Sequence, residues 1–294
     1  MTDGDGSPTV VIDAYVPAEM ASRAERVGVT KARLDTFSTL AMAVLAGAFI
    51  SLGSAFYTTI ITETGMGYGP TRMLGGLAFS LGLILVIVAG AELFTGNTLI
   101  VMAWTSRKVT TGQILRNWAL VYLGNMVGSL ATAALVYYSG QWKGAHSAVG
   151  ATALSIAAAK LNLGFGEAFL KGMLCNAFVC LAVWLCYGAR SVTDKILAIV
   201  FPITAFVAMG FEHSVANMYF LPLGIWLSRH QEVVAAAGDT VKTTSMFTTD
   251  RFLLYNLLPV TLGNIIGGSV MVGWFYWFIF LRPSRRPQKH GDGK

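Results

Sequence analysis

Two segments place polar, proton-exchanging side chains among apolar ones: "GAELFTGN", Gly90 to Asn97, and "GFEHSVAN", Gly210 to Asn217. His213 is the chemically active member, because an imidazole titrating near neutrality can lend a proton to a guest and take it back. A histidine at membrane depth is expensive unless it is paired or faces water, which favours a path-lining role over a purely interhelical hydrogen bond. Thr95, in the matching segment, and Asn264, in "LGNIIGG", are residue types that would orient the ring by hydrogen bonds. Glu92 and Glu212 each stand two residues after a glycine, Gly90 and Gly210. Carboxylates so placed favour a supporting role, accepting from backbone N–H groups that a helix break would free.

A lone histidine selects for a particular guest. Moving a bare anion into a low-dielectric region has an idealised cost on the order of 20 kcal/mol. Protonating a weak acid of pKa near 4 at about pH 7 takes about three pH units, or roughly 4 kcal/mol. Small weak acids therefore have an inexpensive route past such a site. Chloride and nitrate, which cannot be neutralised this way, do not.

The elements that must hold these residues are membrane helices. The chain has 294 residues, of which 54% are hydrophobic and only 12% charged, and its mean hydropathy is +0.60; a water-soluble surface cannot be built from that composition. Six apolar runs are long enough to cross a bilayer: Thr36 to Ile60, Leu74 to Trp104, Gln113 to Ser139, Leu163 to Gly188, Asp194 to Ser228 and Phe252 to Leu281. They are uninterrupted rather than alternating, so they predict helices and not a barrel. The second and fifth are too long for one crossing and too short for two, and each carries one of the polar segments near its midpoint. Both are expected to be broken helices whose freed backbone lines a cavity.

The halves of the chain repeat. "NWALVYLGNMVGS" from Asn117 and "NLLPVTLGNIIGG" from Asn256 share the pattern N-x6-GN-x2-G, and the first and fourth spans agree more weakly, with "LAGAF" at Leu45 set against "LKGML" at Leu170. Three spans per half is an odd number, so the second half crosses with inverted topology. The expected organisation is a segment 1–35 with an amphipathic helix, a six-helix transmembrane domain 36–282 with repeats at about 36–140 and 162–282, and a basic tail 283–294. The amphipathic helix begins at Pro17, carries Met20, Ala24 and Val27 on one side, and is expected to lie on the membrane surface. The first ten residues lack the basic and apolar regions of a signal peptide.

Of the 21 Lys and Arg residues, fourteen fall on the side of the termini, which makes that side cytoplasmic. The pI of about 9.3 reflects these flanking charges and implies no nucleic-acid binding. Cys175, Cys180 and Cys186 share the fourth span without metal-ligand spacing and read as buried free thiols. Around the breaks, the spacing of Phe79, Leu83, Phe94 and Phe206 favours plain packing over gating. Lys160, in "AAAKLNLG", fits an ammonium that draws an anion toward a mouth and an ordinary interfacial lysine equally well.

"FSLGLILVIVAGAELFTGNTLIV", "KGMLCNAFVCLAVW", "GFEHSVANM" and "LLPVTLGNIIGG" together make the chain resemble the formate/nitrite transporter family, from about Pro17 to Arg282. The resemblance implies an all-α, aquaporin-like six-helix protomer in a homopentamer of the bacterial inner membrane, each protomer with its own path. It implies transport of formate, nitrite or hydrosulfide together with protons, without a cofactor. It also implies a central His213 with Thr95 and Asn264 as partners, constrictions at Phe79, Leu83, Phe94 and Phe206, Lys160 as the anion-attracting lysine, and Asn176 as the fourth-span asparagine of the pore. "GFEHSVANM", "GARSVTDK" and Leu221 to Ile225 look like the formate channels, whereas "ELFTGN" is closer to the nitrite and hydrosulfide branches. Formate therefore stands first and nitrite second. A water or glycerol channel would carry Asn-Pro-Ala pairs, which are absent, and an enzyme would need metal-ligand clusters or a nucleophile beside a base, which the sequence does not offer.

Overall fold

Proline at the first helical position and a Glu19 carboxylate reaching back to the Val16 N–H (3.2 Å) start α1, Pro17–Arg33. The Asp35 side chain then accepts from the Ser38 N–H at 2.9 Å and starts α2, Thr36–Ile61. The computed structural model describes residues 13–241 and 243–282, so the tail 283–294 lies outside the described residues. α3, Tyr68–Gly90, widens into a π-turn over Val86–Gly90 before the chain breaks, and the helix resumes as α4, residues 94–105. α5 is Thr111–Ser139, opened by a Thr110/Gln113 capping box and closed at Gly140 with φ 74°. The second half runs α6 (Ala148–Leu161), α7 (Phe165–Gly188), α8 (Val192–Ala208), α9 (Ser214–Leu227), α10 (Gln231–Ala237) and α11 (Arg251–Phe280).

Among the described residues the regular elements are all helical. α2, α3, α5, α7 and α11 are each long and apolar enough to cross a bilayer, and the remaining crossing is split between α8 and α9. Leucines and phenylalanines stay exposed along these helices, among them Leu123 (60%), Leu135 (72%) and Phe201 (74%), a surface suited to lipid and not to water. The protein is an all-α membrane protein.

Within each half, the first and third spans meet through glycines. A Cβ on Gly128 of α5 would lie 2.0 Å from the Val44 carbonyl oxygen of α2, and a Cβ on Gly267 of α11 would lie 2.0 Å from the Met173 carbonyl oxygen of α7. Gly124 approaches Leu40 and Gly263 approaches Phe169 in the same way. These contacts pair the first span with the fourth at a spacing of 129 positions, which corrects the "LAGAF"/"LKGML" alignment at 125. That alignment matched Gly47 to Gly172 by residue type, but the two glycines occupy successive turns of the helix crossing.

Two further elements differ from the sequence expectation. α1 buries Met20, Ala21, Ala24, Gly28 and Ala32 against the protein, and a Cβ on Gly28 would meet the Ala103 Cβ of α4 at 3.2 Å. Its small-residue face docks it on the helices instead of on lipid. α6, Ala148–Leu161, is an element that the six-span reading does not contain. It is the inverted counterpart of α1: it packs on α9 as α1 packs on α4, and at fourteen residues it is too short to read as a crossing.

Candidate functional site

Both breaks are made by glycine in the left-handed region, Gly90 at φ 84° and Gly210 at φ 72°. Beyond each, an extended stretch leads into the N-terminus of a half-helix, at Phe94 and at Ser214. The freed backbone groups are satisfied by two asparagines in equivalent places. Asn125 accepts from the Phe94 N–H (2.9 Å) and donates to the carbonyls of Ala43 (2.8 Å) and Glu92 (2.9 Å). Asn264 accepts from the Ser214 N–H (2.9 Å) and donates to the carbonyls of Gly172 (2.7 Å) and Glu212 (3.0 Å). Asn264 therefore braces a break and makes no hydrogen bond to the His213 ring, contrary to the sequence expectation.

The glutamates differ from expectation too, for the amides already cap the backbone. Glu212 accepts from the Lys160 ammonium (2.8 Å) and from Asn217 Nδ2 (2.7 Å). Asn217 also donates to Asn256 Oδ1 (2.7 Å), and Asn256 Nδ2 returns to the Lys160 carbonyl (3.0 Å). The first half repeats the circuit: Glu92 accepts from Lys31 (2.6 Å) and Asn97 (2.6 Å), Asn97 donates to Asn117 (2.9 Å), and Asn117 returns to the Lys31 carbonyl (3.1 Å). Lys31, Asn97, Asn117, Asn217 and Asn256 were missed as members of the site. A signal existed: Lys31 stands five residues before α2 begins at Thr36, as Lys160 stands five before α7 begins at Phe165.

His213 is buried where the two breaks face each other. Its Nε2 lies 3.1 Å from Thr95 Oγ1, and its Nδ1 accepts from the Ala216 N–H at 3.1 Å, capping α9. With Nδ1 an acceptor, the ring is neutral and carries its proton on Nε2. Asn176 of α7 stands behind Thr95, donating to its carbonyl (3.2 Å), to Thr98 Oγ1 (3.2 Å) and to the Asn264 carbonyl (2.6 Å). It ties the α4 half-helix to α11 rather than touching the imidazole.

Two cavities approach this centre from opposite sides. The one on the α1 face, about 350 Å³, is lined by Arg23, Lys31, Leu83, Glu92, Asn97 and Lys195, among others. The one on the Lys160 face, about 60 Å³, is lined by Tyr57, Arg72, Phe79, Phe206, Glu212 and His213, among others. Phe79 and Phe206 meet edge to face with centroids 5.8 Å apart, and both lie against the imidazole, at 6.5 and 6.2 Å. Leu83 and Phe79 are thus on opposite sides of the centre. Phe94 borders neither cavity; it packs on Tyr122 (4.8 Å) and lines a lateral apolar groove between α5 and α11.

Inverted halves, two broken helices facing across a buried imidazole and a cavity on either side define a membrane channel or transporter. A family model described as formate/nitrite transporter matches residues 18–278. The chain is 45% identical over 273 residues to the formate channel FocA of Escherichia coli K12, covering 92% of this chain and 96% of that protein. It is 42% identical over 269 residues to the formate channel FocA of Haemophilus influenzae, covering 90% and 95%. Among solved structures, a pentameric formate channel with formate bound superposes with a TM-score of 0.76 at 38% identity, covering 84% of this chain and 98% of that one. The chain belongs to the formate/nitrite transporter family.

Proposed function

We propose that this protein is a channel or proton-coupled transporter for formate and similarly small monovalent weak-acid anions. On this reading it works as a homopentamer in the bacterial inner membrane, with both termini cytoplasmic and one path per protomer. The observation that carries it is the buried His213–Thr95 pair (3.1 Å) between the two cavities, walled by Phe79 and Phe206 on one side and Leu83 on the other. The relatives named as formate channels, at 45% and 42% identity, support formate as the first guest. The likeness of "ELFTGN" to the nitrite and hydrosulfide branches keeps nitrite or hydrosulfide as the second.

An anion in either cavity meets a lysine–glutamate pair, Lys31–Glu92 or Lys160–Glu212, and then the apolar wall. To pass, it takes a proton from the protonated His213 ring at Nε2 and crosses as the neutral acid. Holding the second proton at Nδ1 means giving up the Ala216 bond, at a cost of about 1–3 kcal/mol for an orphaned buried N–H. That is small beside the desolvation of a bare anion, on the order of 20 kcal/mol. If the acid returns its proton to the ring, an anion has moved; if the acid carries it out, anion and proton have moved together. Osmotic swelling of proteoliposomes in formate, nitrite, glycerol and chloride, at acid and neutral pH, tests the reading. Formate and nitrite should enter fast and chloride slowly, and rapid His213-dependent chloride flux would overturn it.

A further inference from the structure

We infer that Arg72 is a positioning and selectivity residue of the mouth on the Lys160 face: its guanidinium fixes the half-helix that carries Phe206 against the helix that carries Phe79, and supplies that cavity with its uncompensated positive charge. The inference rests on the weak-acid reading above and deepens it.

The geometry is a three-way fork. Arg72 Nε donates to the Ala208 carbonyl (3.1 Å), Nη2 to the Val207 carbonyl (2.7 Å) and Nη1 to the Tyr57 hydroxyl (2.9 Å). Val207 and Ala208 end α8, where the helix dipole favours a cation; the Val207 carbonyl also accepts from the Gly210 N–H at 3.1 Å. Phe206 is the next residue back along that helix. Phe79 lies seven positions after Arg72 on α3, two turns along the same face. Between them Gly76 brings α3 within backbone contact of α8, since a Cβ there would lie 2.7 Å from the Thr204 oxygen. A fork at one end and a glycine contact in the middle thus set how far apart Phe79 and Phe206 can stand.

The charge argument is independent of the fork. Lys160 stands behind the lining residue Glu212, which neutralises it at 2.8 Å. Among the described residues Arg72 has no carboxylate partner, although it lines the same cavity of about 60 Å³ as His213. Three of the five guanidinium N–H groups are used, which leaves two for an anion. The fork belongs to one face only; on the α1 face Arg23 and Lys195 line the cavity without a carboxylate partner among the described residues. The glutamates Glu92 and Glu212 correspond at a spacing of 120 positions, and the residue 120 after Arg72 is Val192, exposed and without a donor side chain. The inverted halves therefore differ here, and the two mouths are not equivalent for an entering anion.

The test compares full-length wild type, R72Q and R72K in proteoliposomes, reading the KM for formate at about 10 mM and about 150 mM salt, where charges are screened beyond roughly 30 and 8 Å. Glycerol entry is read alongside. R72Q should raise the KM at low salt about tenfold and flatten its salt dependence. R72K keeps the charge but not the fork, so it should hold the KM and its salt dependence near wild type while glycerol entry rises severalfold. Wild-type KM and salt dependence in R72Q overturn the charge role, as does a KM in R72K as poor as in R72Q. Wild-type glycerol exclusion in R72K overturns the fork, and R72K decides both roles if R72Q fails to assemble. Wild-type protein that carries no formate would instead overturn the reading on which the inference rests.

Discussion

At the scale of single residues, the polar side chains in this membrane protein divide into those that hold backbone and those that hold charge. Asn264 saturates one N–H and two carbonyls, and Asn125 does the same in the other half. Replacing either with alanine orphans the N–H and the carbonyl at a break, since the Gly172 and Ala43 carbonyls keep their bonds within a helix, so N264A and N125A should each lose about 2–4 kcal/mol. A lowered midpoint of heat unfolding in detergent would register it, and an unchanged midpoint in both would contradict the bracing role. Lys160 and Glu212 form a pair whose side chains are only 14% and 5% exposed. K160A strands the carboxylate and should destabilise by roughly 3–5 kcal/mol, most of which the double variant K160A/E212Q should recover. The sequence marks both glutamates as supports, but it cannot say what they support. Which donor reaches a carboxylate depends on Lys31 and Lys160 folding in from other elements, at separations of 61 and 52 positions.

At the scale of elements, the two breaks are alike in backbone and unlike in surroundings. A Cβ on Gly90 would meet nothing within 4 Å, whereas one on Gly210 would lie 3.1 Å from Arg72 Nη2. Both substitutions to alanine force an L-residue into the left-handed region, which costs about 1–2 kcal/mol. G210A should therefore be the more damaging of the two, in both unfolding midpoint and formate flux, because it also displaces the guanidinium fork. Equal effects would contradict that difference. The breaks are legible in sequence because glycine, glutamate and asparagine inside an apolar run leave few other readings. The repeat in α5 and α11 is legible because asparagine and glycine recur together in "LGN". The register in which α2 corresponds to α7 is not, since small residues recur every turn there and only the crossings of α2 with α5 and of α7 with α11 decide which turn is used. α6 escapes for a related reason: its fourteen residues look like a loop between spans until α9 gives them a surface to pack on.

At the scale of the whole molecule, the inverted halves enclose one buried ring between two unequal mouths. α1 belongs to this arrangement as much as the spans do, for it brings Lys31 to Glu92 and lines the larger cavity with Arg23. Deleting Met1 to Lys31 leaves Glu92 uncompensated at that mouth. Formate flux should fall, most at low salt, and its pH dependence should change; flux and pH dependence both unchanged would count against a role for the helix. The membrane architecture is readable from hydropathy alone, but the docking of α1 is not, because an amphipathic face suits lipid and protein alike. The central claim is that a weak acid crosses in neutral form with a proton lent by His213. It is tested most directly by the ratio of wild-type to H213N formate flux as pH is lowered from about 7 to about 4. Asparagine preserves the cap on the Ala216 N–H but cannot lend a proton. At about pH 7 roughly one formate in a thousand is already protonated, while near pH 4 about half are. The account predicts a ratio that is large at neutral pH and shrinks steadily toward acid pH, and a ratio that does not vary with pH would contradict it.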